Sequence, residues 1–351
     1  MPDLASLSAK PTAKAVAAHA GVSVTTVSRV LSGRHDSISP QTRERVLQVA
    51  EELHYRPNSI AVALRKGYTR AIGLMVPDIA DAYFHQIARG LEDAAQDAGY
   101  SVVLFNTDRV AAKERAGVET FYEHGVDAVV FAGGGVDDET HLQGFPWKHM
   151  NVVTIGPHRL PFPSIGVDDV ATIELAVGHL VEQGCQRILC LAGQPNWLIN
   201  AERLEGYRRA QARHGLDPDP ALMWPAAFTV QSGYEATKQA RASGVDFDGV
   251  MAFNDYTAIG AIKALLELGV DVPDEVAVVG CDDIPIAQLV SPRLTSVSFP
   301  QYEFGRAAME RALDLIAGRP VAQTTRFEHR LEVRESSLRS VRTVERRKDQ
   351  R

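Results

Sequence analysis

Val24, Thr25, Ser28 and Arg29 share one outward face if the stretch after Ser23 is helical, offering a methyl surface, two hydroxyls and a guanidinium. Such a face suits the major groove of DNA. Val24 can touch a thymine methyl, Thr25 can bond a base edge, and Arg29 can reach a guanine or a phosphate. A second group of side chains lies far along the chain, where Tyr83, Phe84, Trp197, Arg203, Asn254 and Asp282 each follow a short apolar run. Aromatic faces, a guanidinium, an amide and a carboxylate are what a polyhydroxylated ring needs. Donors and acceptors meet its hydroxyls, and a flat apolar wall covers its C–H face.

The elements that must position the first group are short helices. Thr12 is a good N-cap, Val16, Ala17 and Ala20 form an apolar stripe, and Gly21 can end the helix in a left-handed conformation without a Cβ clash. Val22 plugs the corner, Ser23 caps a second helix, and Val27 and Val30 face back onto the first. Ser39-Pro40 opens a third helix with a buried stripe of Val46, Val49, Ala50 and Leu53, and the segment from Asn58 to Gly67 has helical composition. So short a segment is marginal alone in water and needs a partner, either its twin in a dimer or the DNA. A packed helical hairpin with no DNA role would account for the first two helices by themselves.

The second group needs a larger scaffold. Apolar runs at 71–76, 102–105, 128–132, 152–155, 188–192, 250–253 and 276–279 alternate with amphipathic stretches of helical period. This alternation predicts parallel sheets covered on both faces, arranged as two doubly wound subdomains with ligands outside the carboxyl ends of the strands. Asp255 is read as the cap of a helix beginning at Tyr256 and is left out of the site. Asn254 is read as a ligand group or a strand-end turn, and Asp282 as a ligand group or a brace for the loop before Ile284-Pro285. Tyr83 and Phe84 could equally be packing residues.

Composition narrows the classes. Residues 1–67 carry a net charge of +4 and residues 68–351 a net of −11, which puts the phosphate-binding surface at the N-terminal end. No run of about 20 apolar residues appears, so no membrane span is expected. Cys185, Cys190 and Cys281 lack zinc-ligand spacing and read as buried thiols, and the first residues lack the apolar run of a secretory leader. Both point to a reducing cytoplasm. Gly133-Gly134-Gly135 lacks the later glycine of a dinucleotide fingerprint, no catalytic constellation emerges, and neither cofactor nor metal is expected.

Val16-Ala17, Ala20-Gly21-Val22-Ser23, Thr26 to Leu31, Tyr55 to Asn58, Ala61 to Leu64, Asn254 to Gly260, Val279 to Asp283, Leu294 to Val297 and Val333 to Ser336 together resemble the lactose-repressor/galactose-repressor (LacI/GalR) family of bacterial transcriptional regulators. The resemblance spans roughly residues 12–338. It implies an all-α helix-turn-helix headpiece joined to an α/β, periplasmic-binding-protein-like core of two doubly wound parallel-sheet subdomains, with three chain crossings near 167, 295 and 325. It divides the chain into an N-terminal tail (1–11), headpiece (12–57), hinge (58–68), effector-binding and dimerisation core (69–338) and a basic flexible tail (339–351). DNA contacts are implied at Thr12, Ser23, Val24, Thr25, Thr26, Ser28 and Arg29, and in the hinge at Asn58, Ala61 and Leu64. Val24 and Thr25 match the principal base-reading positions, and Leu64 matches the leucine that wedges between base steps in the minor groove.

Effector contacts are implied at Arg203 and Asp282, and at Phe228 by its distance from Gly233-Tyr234. Trp197 and Ile199 before Arg203 favour a carbohydrate over a purine. The family mechanism is a dimer on a near-palindromic operator, most often repressing, with effector-driven lobe closure altering hinge spacing. The tail after Glu335 lacks the leucine heptads of tetrameric members, so a homodimer is expected. A periplasmic-type sugar-binding protein shares the two-lobed core but has no use for a helix-turn-helix.

Overall fold

The computed structural model describes residues 11–33, 37–56, 67–137 and 139–340. The chain divides into two compact units between Thr69 and Arg70.

In the first unit, α1 (Ala13–Ala20), α2 (Val24–Leu31) and α3 (Pro40–Glu52) pack around Val16, Ala20, Val27, Val30, Val46 and Ala50. Each start is fixed by a hydroxyl. Thr12 accepts from Ala15 N–H at 3.2 Å, Ser23 from Thr26 N–H at 3.0 Å, and Ser39 from Thr42 N–H at 3.2 Å. Gly21 ends α1 at φ 65°, where the next peptide turns back so that Val22 N–H reaches Ala17 O at 3.0 Å. The expected helical segment 58–67, with Asn58, Ala61 and Leu64, lies outside the described residues apart from its last glycine.

The second unit has two lobes. The first is built from β1 (Ala71–Val76), β2 (Ser101–Asn106), β3 (Ala128–Ala132), β4 (Val152–Ile155), β5 (Ser164–Gly166) and β11 (Thr324–Arg326), in the order β11-β5-β4-β3-β1-β2. All its pairings are parallel. Its helices are α4 (Ala82–Asp97), α5 (Ala111–Glu123) and α10 (Gln301–Ile316). The second lobe contains β6 (Ile188–Ala192), β7 (Met223–Pro225), β8 (Gly249–Ala252), β9 (Ala277–Asp282), β10 (Thr295–Ser298) and β12 (Arg330–Glu332), in the order β12-β10-β9-β8-β6-β7. Only the β10–β12 pairing is antiparallel. Helices α6 (Asp169–Glu182), α7 (Leu198–His214), α8 (Val230–Ala242) and α9 (Asp255–Glu267) cover it.

The chain crosses between lobes three times, between β5 and α6, between β10 and α10, and between β11 and β12. The second crossing follows β10 rather than opening it, because 295–298 completes the second sheet before the chain leaves. Once across, α10 is fastened to α4 by two glycines. A Cβ at Gly90 would stand 2.0 Å from Tyr302 O, and one at Gly305 2.0 Å from Ile87 O, so no other residue permits this backbone approach.

Two expectations need correction. Strand β2 is not covered on both faces: it is the edge of its sheet, and Val103 and Leu104 are 45% and 40% exposed. The basic tail does not begin at 339. Arg339 is buried and donates to the carbonyls of Gln183, Pro273, Asp248 and Glu275, and Ser340 N–H bonds Asp274 Oδ1 at 2.9 Å. Four converging carbonyls form an acceptor nest that a guanidinium fills with its fixed fork of donors. All three cysteines are buried, and no helix among the described residues is long and apolar enough to cross a membrane.

Candidate functional site

The carboxyl ends of both sheets face each other across the cleft between the lobes, and the residues singled out in the sequence converge there. Tyr83 and Phe84 from the start of α4, Arg203 from α7, Phe228, Asn254 and Asp282 line one tight inner chamber. Trp197 does not. It lines a roomier outer chamber that adjoins the first and shares Asp81, Phe84, Arg109 and Phe228 with it.

Arg203 is the centre of the inner chamber. Its Nε donates to Asp169 Oδ1 at 2.9 Å, Nη1 bonds the Phe253 carbonyl, and Nη2 stands 3.8 Å from Asp282 Oδ1. All three side chains are buried. Burial drives the Asp282 carboxyl well above the usual carboxylate range; Arg203 opposes this, and Asp255, Asp81 and Asp169 reinforce it. Asp169 is also raised by burial, against the pull of Arg203. One buried guanidinium therefore serves two carboxylates, and their remaining lone pairs are acceptors for hydroxyl donors. Asp282 sits at φ 116°, a conformation rare for any residue but glycine, while its carbonyl accepts from Gln301 Nε2 at the neighbouring crossing.

Asn254 takes the strand-end role open to it from the sequence and also lines the chamber. Its Oδ1 accepts from Thr257 N–H at 3.0 Å as the cap of α9, and its Nδ2 donates to Phe228 O at 3.1 Å. Asp255 is therefore not the cap. It is the first residue of α9, fully buried, accepting from Ser296 Oγ and from Ile284 N–H at 2.8 Å, and so braces the loop that carries Asp282. Tyr83 and Phe84 stand edge to face at 5.0 Å; burial raises the Tyr83 hydroxyl, so it enters as a donor.

Site residues that were not picked out from the sequence include Asp81, Arg109, Asp169, Phe299 and Phe304. Asp81 caps α4 by accepting from Tyr83 N–H at 3.0 Å, and burial raises its carboxyl while Arg109 lowers it. Arg109 follows β2, and its guanidinium lies 4.6 Å from the Trp197 ring centroid and 5.6 Å from that of Phe228. Its Nη1 donates to Gly133 O at 2.9 Å, and burial lowers its pKa to about 10. The lobes also touch through backbone: Val136 bridges Trp197, Asp137 N–H reaches Asn196 O at 2.7 Å, and Leu198 N–H reaches Gly135 O at 3.1 Å.

In the helical unit, Val24, Thr25 and Arg29 are exposed on α2, and Ser28 is half-buried. Val24 is 46% exposed beside polar neighbours. Thr12 and Ser23 spend their hydroxyls as caps, and Thr26 Oγ1 lies 2.9 Å from Ser23 Oγ.

Comparison with known proteins places this architecture. A family model described as bacterial regulatory proteins, lacI family, matches residues 12–58, and one described as a periplasmic binding protein-like domain matches residues 177–337. The HTH-type transcriptional regulator RegA of Clostridium saccharobutylicum is 32% identical over 93% of this chain and 98% of its own. The transcriptional regulator CelR in complex with cellobiose superimposes with a TM-score of 0.71 at 31% identity, over 93% of this chain and 100% of that one. The Lac repressor dimer bound to operator and an anti-inducer does so with a TM-score of 0.85 at 26% identity, over 94% and 100%. With a helix-turn-helix ahead of a two-lobed cleft, and relatives matched along nearly their whole length, this chain belongs to the lacI family of bacterial regulatory proteins and is a DNA-binding transcriptional regulator.

Proposed function

We propose that the protein is a cytoplasmic repressor that binds a near-palindromic operator as a homodimer and responds to a carbohydrate held between its lobes. The carrying observation is the cleft itself. Two buried carboxylates, an amide and a guanidinium converge with three aromatic side chains at the carboxyl ends of both sheets. That set supplies acceptors for ring hydroxyls and flat walls for a C–H face. The crystallised CelR complex holds cellobiose and the crystallised Lac repressor dimer holds operator, which supports the same pairing of ligand and DNA here.

The roles follow from position. Arg203, Asp282 and Asn254 hold ligand hydroxyls, Tyr83, Phe84 and Phe228 cover its faces, and Val24, Thr25, Ser28 and Arg29 read the half-site while Thr12, Ser23 and Thr26 set the ends of their helices. Asn58, Ala61 and Leu64 complete the DNA contacts. No enzymatic turnover is needed for this activity. A ligand that binds the closed lobes better than the open ones shifts the DNA-competent population by its differential affinity. The test is a thermal-shift screen of neutral sugars and nucleosides, followed by operator-binding titrations with each hit. A sugar that raises the melting temperature and changes operator affinity supports the reading. A response confined to nucleosides overturns the carbohydrate assignment.

A further inference from the structure

We propose that the turn from Gly133 to Asp137 is a strap that holds the lobes together in the empty protein, and that the buried pair Glu139–His158 is the anchor that keeps it engaged. This goes beyond the carbohydrate reading and does not depend on what the cleft binds.

The strap is held from both sides. On its own lobe, Gly133 N–H bonds Ile155 O at 3.0 Å and Gly135 N–H bonds Pro157 O at 2.9 Å. On the other, Val136 and Trp197 oppose each other as an antiparallel pair, flanked by the bonds from Asp137 N–H to Asn196 O and from Leu198 N–H to Gly135 O. Asn196 Nδ2 adds a bond to Asp137 Oδ1 at 3.1 Å. The strap also carries the acceptor of Arg109, Gly133 O, so its seating is felt in the cleft. Contacts this few exchange readily with water, and what positions the strap decides how often they form.

The anchor lies beneath it. Glu139 N–H donates to Val136 O at 3.2 Å, which ties Glu139 to the middle of the strap, and its backbone is left-handed at φ 58°. Its carboxylate turns inward, where Oε1 meets His158 Nδ1 at 2.6 Å and Oε2 accepts from Arg159 N–H at 2.6 Å. The His158 and Glu139 side chains are 4% and 2% exposed. Burial pushes the Glu139 carboxyl up, but the His158 and Arg159 contacts together outweigh it, so the group stays a carboxylate. A carboxylate is costly to bury, and this one lines neither ligand chamber. His158 stands edge-on to Phe131 at 5.9 Å, and its Nε2 is buried with no hydrogen-bond partner among the described residues. A ring that forgoes a partner on one nitrogen is held by the other, and that one faces Glu139. A second pair acts on the first electrostatically: His141 Nε2 lies 2.8 Å from Glu114 Oε2 in the first turn of α5, and Arg115 Nη1 donates to His141 O at 2.9 Å. The base of the anchor is thus the helix that follows Arg109.

Hydrogen–deuterium exchange of the full-length chain without ligand tests this at peptides carrying Asp137 and Leu198. Each of Glu139→Ala and His158→Phe removes a hydrogen bond to a charged group and should speed exchange of both amides about tenfold or more. Peptides from β1 and β3 should exchange as in the wild-type protein. Glu139→Gln can still accept from Arg159 N–H and donate to His158 Nδ1, so its exchange at both amides should stay near that of the wild type. Val136→Cys combined with Trp197→Cys tests the strap without disturbing its anchor. The two cysteines should cross-link on mild oxidation, since residues paired in this way stand about 4.5 Å apart at Cα. Wild-type exchange at 137 and 198 in Glu139→Ala or His158→Phe overturns the proposal. So does faster exchange spread equally over β1 and β3, or failure of the cysteine pair to cross-link.

Discussion

Arg203 donates to Asp169 across 2.9 Å with both side chains buried, so the cleft's central cation is neutralised by the protein itself. Its Nη2 faces Asp282 at the longer distance of 3.8 Å, the looser of its two carboxylate contacts. A ligand hydroxyl inserted there exchanges one contact for two without separating the tight pair. On the proposed reading Asp282 would be the group through which occupancy is sensed, with its backbone at φ 116° and its carbonyl held by Gln301 at the α10 crossing.

The two partners should therefore respond differently to substitution. Arg203→Ala leaves Asp169 and Asp282 buried without their counter-charge and should cost about 3–5 kcal/mol of folding stability. Asp282→Asn replaces one carboxyl oxygen by an amide nitrogen but keeps the shape, so the protein should fold and lose about 1.5–3 kcal/mol of effector binding. Urea denaturation and calorimetry separate these outcomes. Wild-type ligand affinity in Asp282→Asn would remove it from the site.

Asp255 gives a pH signature. Burial raises its carboxyl to about 7 against the bonds from Ser296 and Ile284, from an ordinary value of 3.8. The folded state then binds more protons than the unfolded state between those two values. Its contribution to stability is present below the unfolded pKa and is lost as pH rises toward 7. The wild-type melting temperature should decline between pH 4 and 7, and Asp255→Asn should flatten that decline. Parallel melting curves for the two proteins across that window would contradict it.

Gly135 controls the backbone clasp between the lobes. A Cβ there would stand 2.2 Å from Glu139 Oε1 and 2.8 Å from Leu198 Cδ1, while Glu139 is itself pinned by His158 Nδ1 and Arg159 N–H, both at 2.6 Å. The Leu198 methyl can turn aside, but the Glu139 carboxylate cannot move without loosening its bonds to His158 and Arg159. Gly135→Ala should weaken effector binding by about 1–3 kcal/mol through this overpacking. Unchanged affinity with an unchanged melting temperature would show that the clasp tolerates the methyl.

Much of this was legible in the sequence where the signal is local. Gly21, Ser23 and Ser39-Pro40 each act on the next few residues, so the three helices of the first unit could be placed from them. Arg203 and Asp282 could be marked because each lies past an apolar run and matches an effector-binding position implied by the family resemblance. Arg109 and Asp169 could not. In Asn106-Thr107-Asp108-Arg109 the arginine reads as an ordinary turn residue, and only the meeting of the lobes brings Trp197 under it. Arg339 reads as a solvated tail residue because its partners are main-chain carbonyls at 183, 248, 273 and 275, which carry no sequence signature. Strand β2 reads as buried because Val102 to Phe105 are apolar, and an edge position depends on which strand pairs with which.

On DNA, Val24 and Leu64 should fail in distinguishable ways. Val24→Ser removes a methyl contact to one base and should cost about 1–3 kcal/mol at that position of the half-site, with the salt dependence of binding unchanged. Leu64→Ala should weaken operator binding while sparing most non-specific affinity, because a wedge repays its cost only at a step that unstacks cheaply. The operator should accordingly carry a flexible pyrimidine–purine step, CpG by preference, at its centre. Footprinting with both variants on symmetric operators checks this, and full operator affinity in Leu64→Ala would exclude the wedge.

Arg339 fastens the C-terminal end of the described chain to the second lobe. Arg339 is 5% exposed, and its guanidinium joins the carbonyls after α6, before β8 and on both sides of Asp274, so it ties three segments of the second lobe together. Removing it leaves those acceptors without their charged donor, and Arg339→Ala should lose at least about 1.5–3 kcal/mol of stability. Beyond Ser340, Val341 and Val344 are the only apolar residues, and the last seven, 345–351, are all charged or amide-bearing. So little apolar surface cannot hold four chains together. Deleting 341–351 should leave both melting temperature and homodimer mass unchanged, while deleting 339–351 should lower the melting temperature and leave the mass at two chains. Sedimentation of the full-length chain as a tetramer that falls to dimers on the shorter deletion would overturn this assignment.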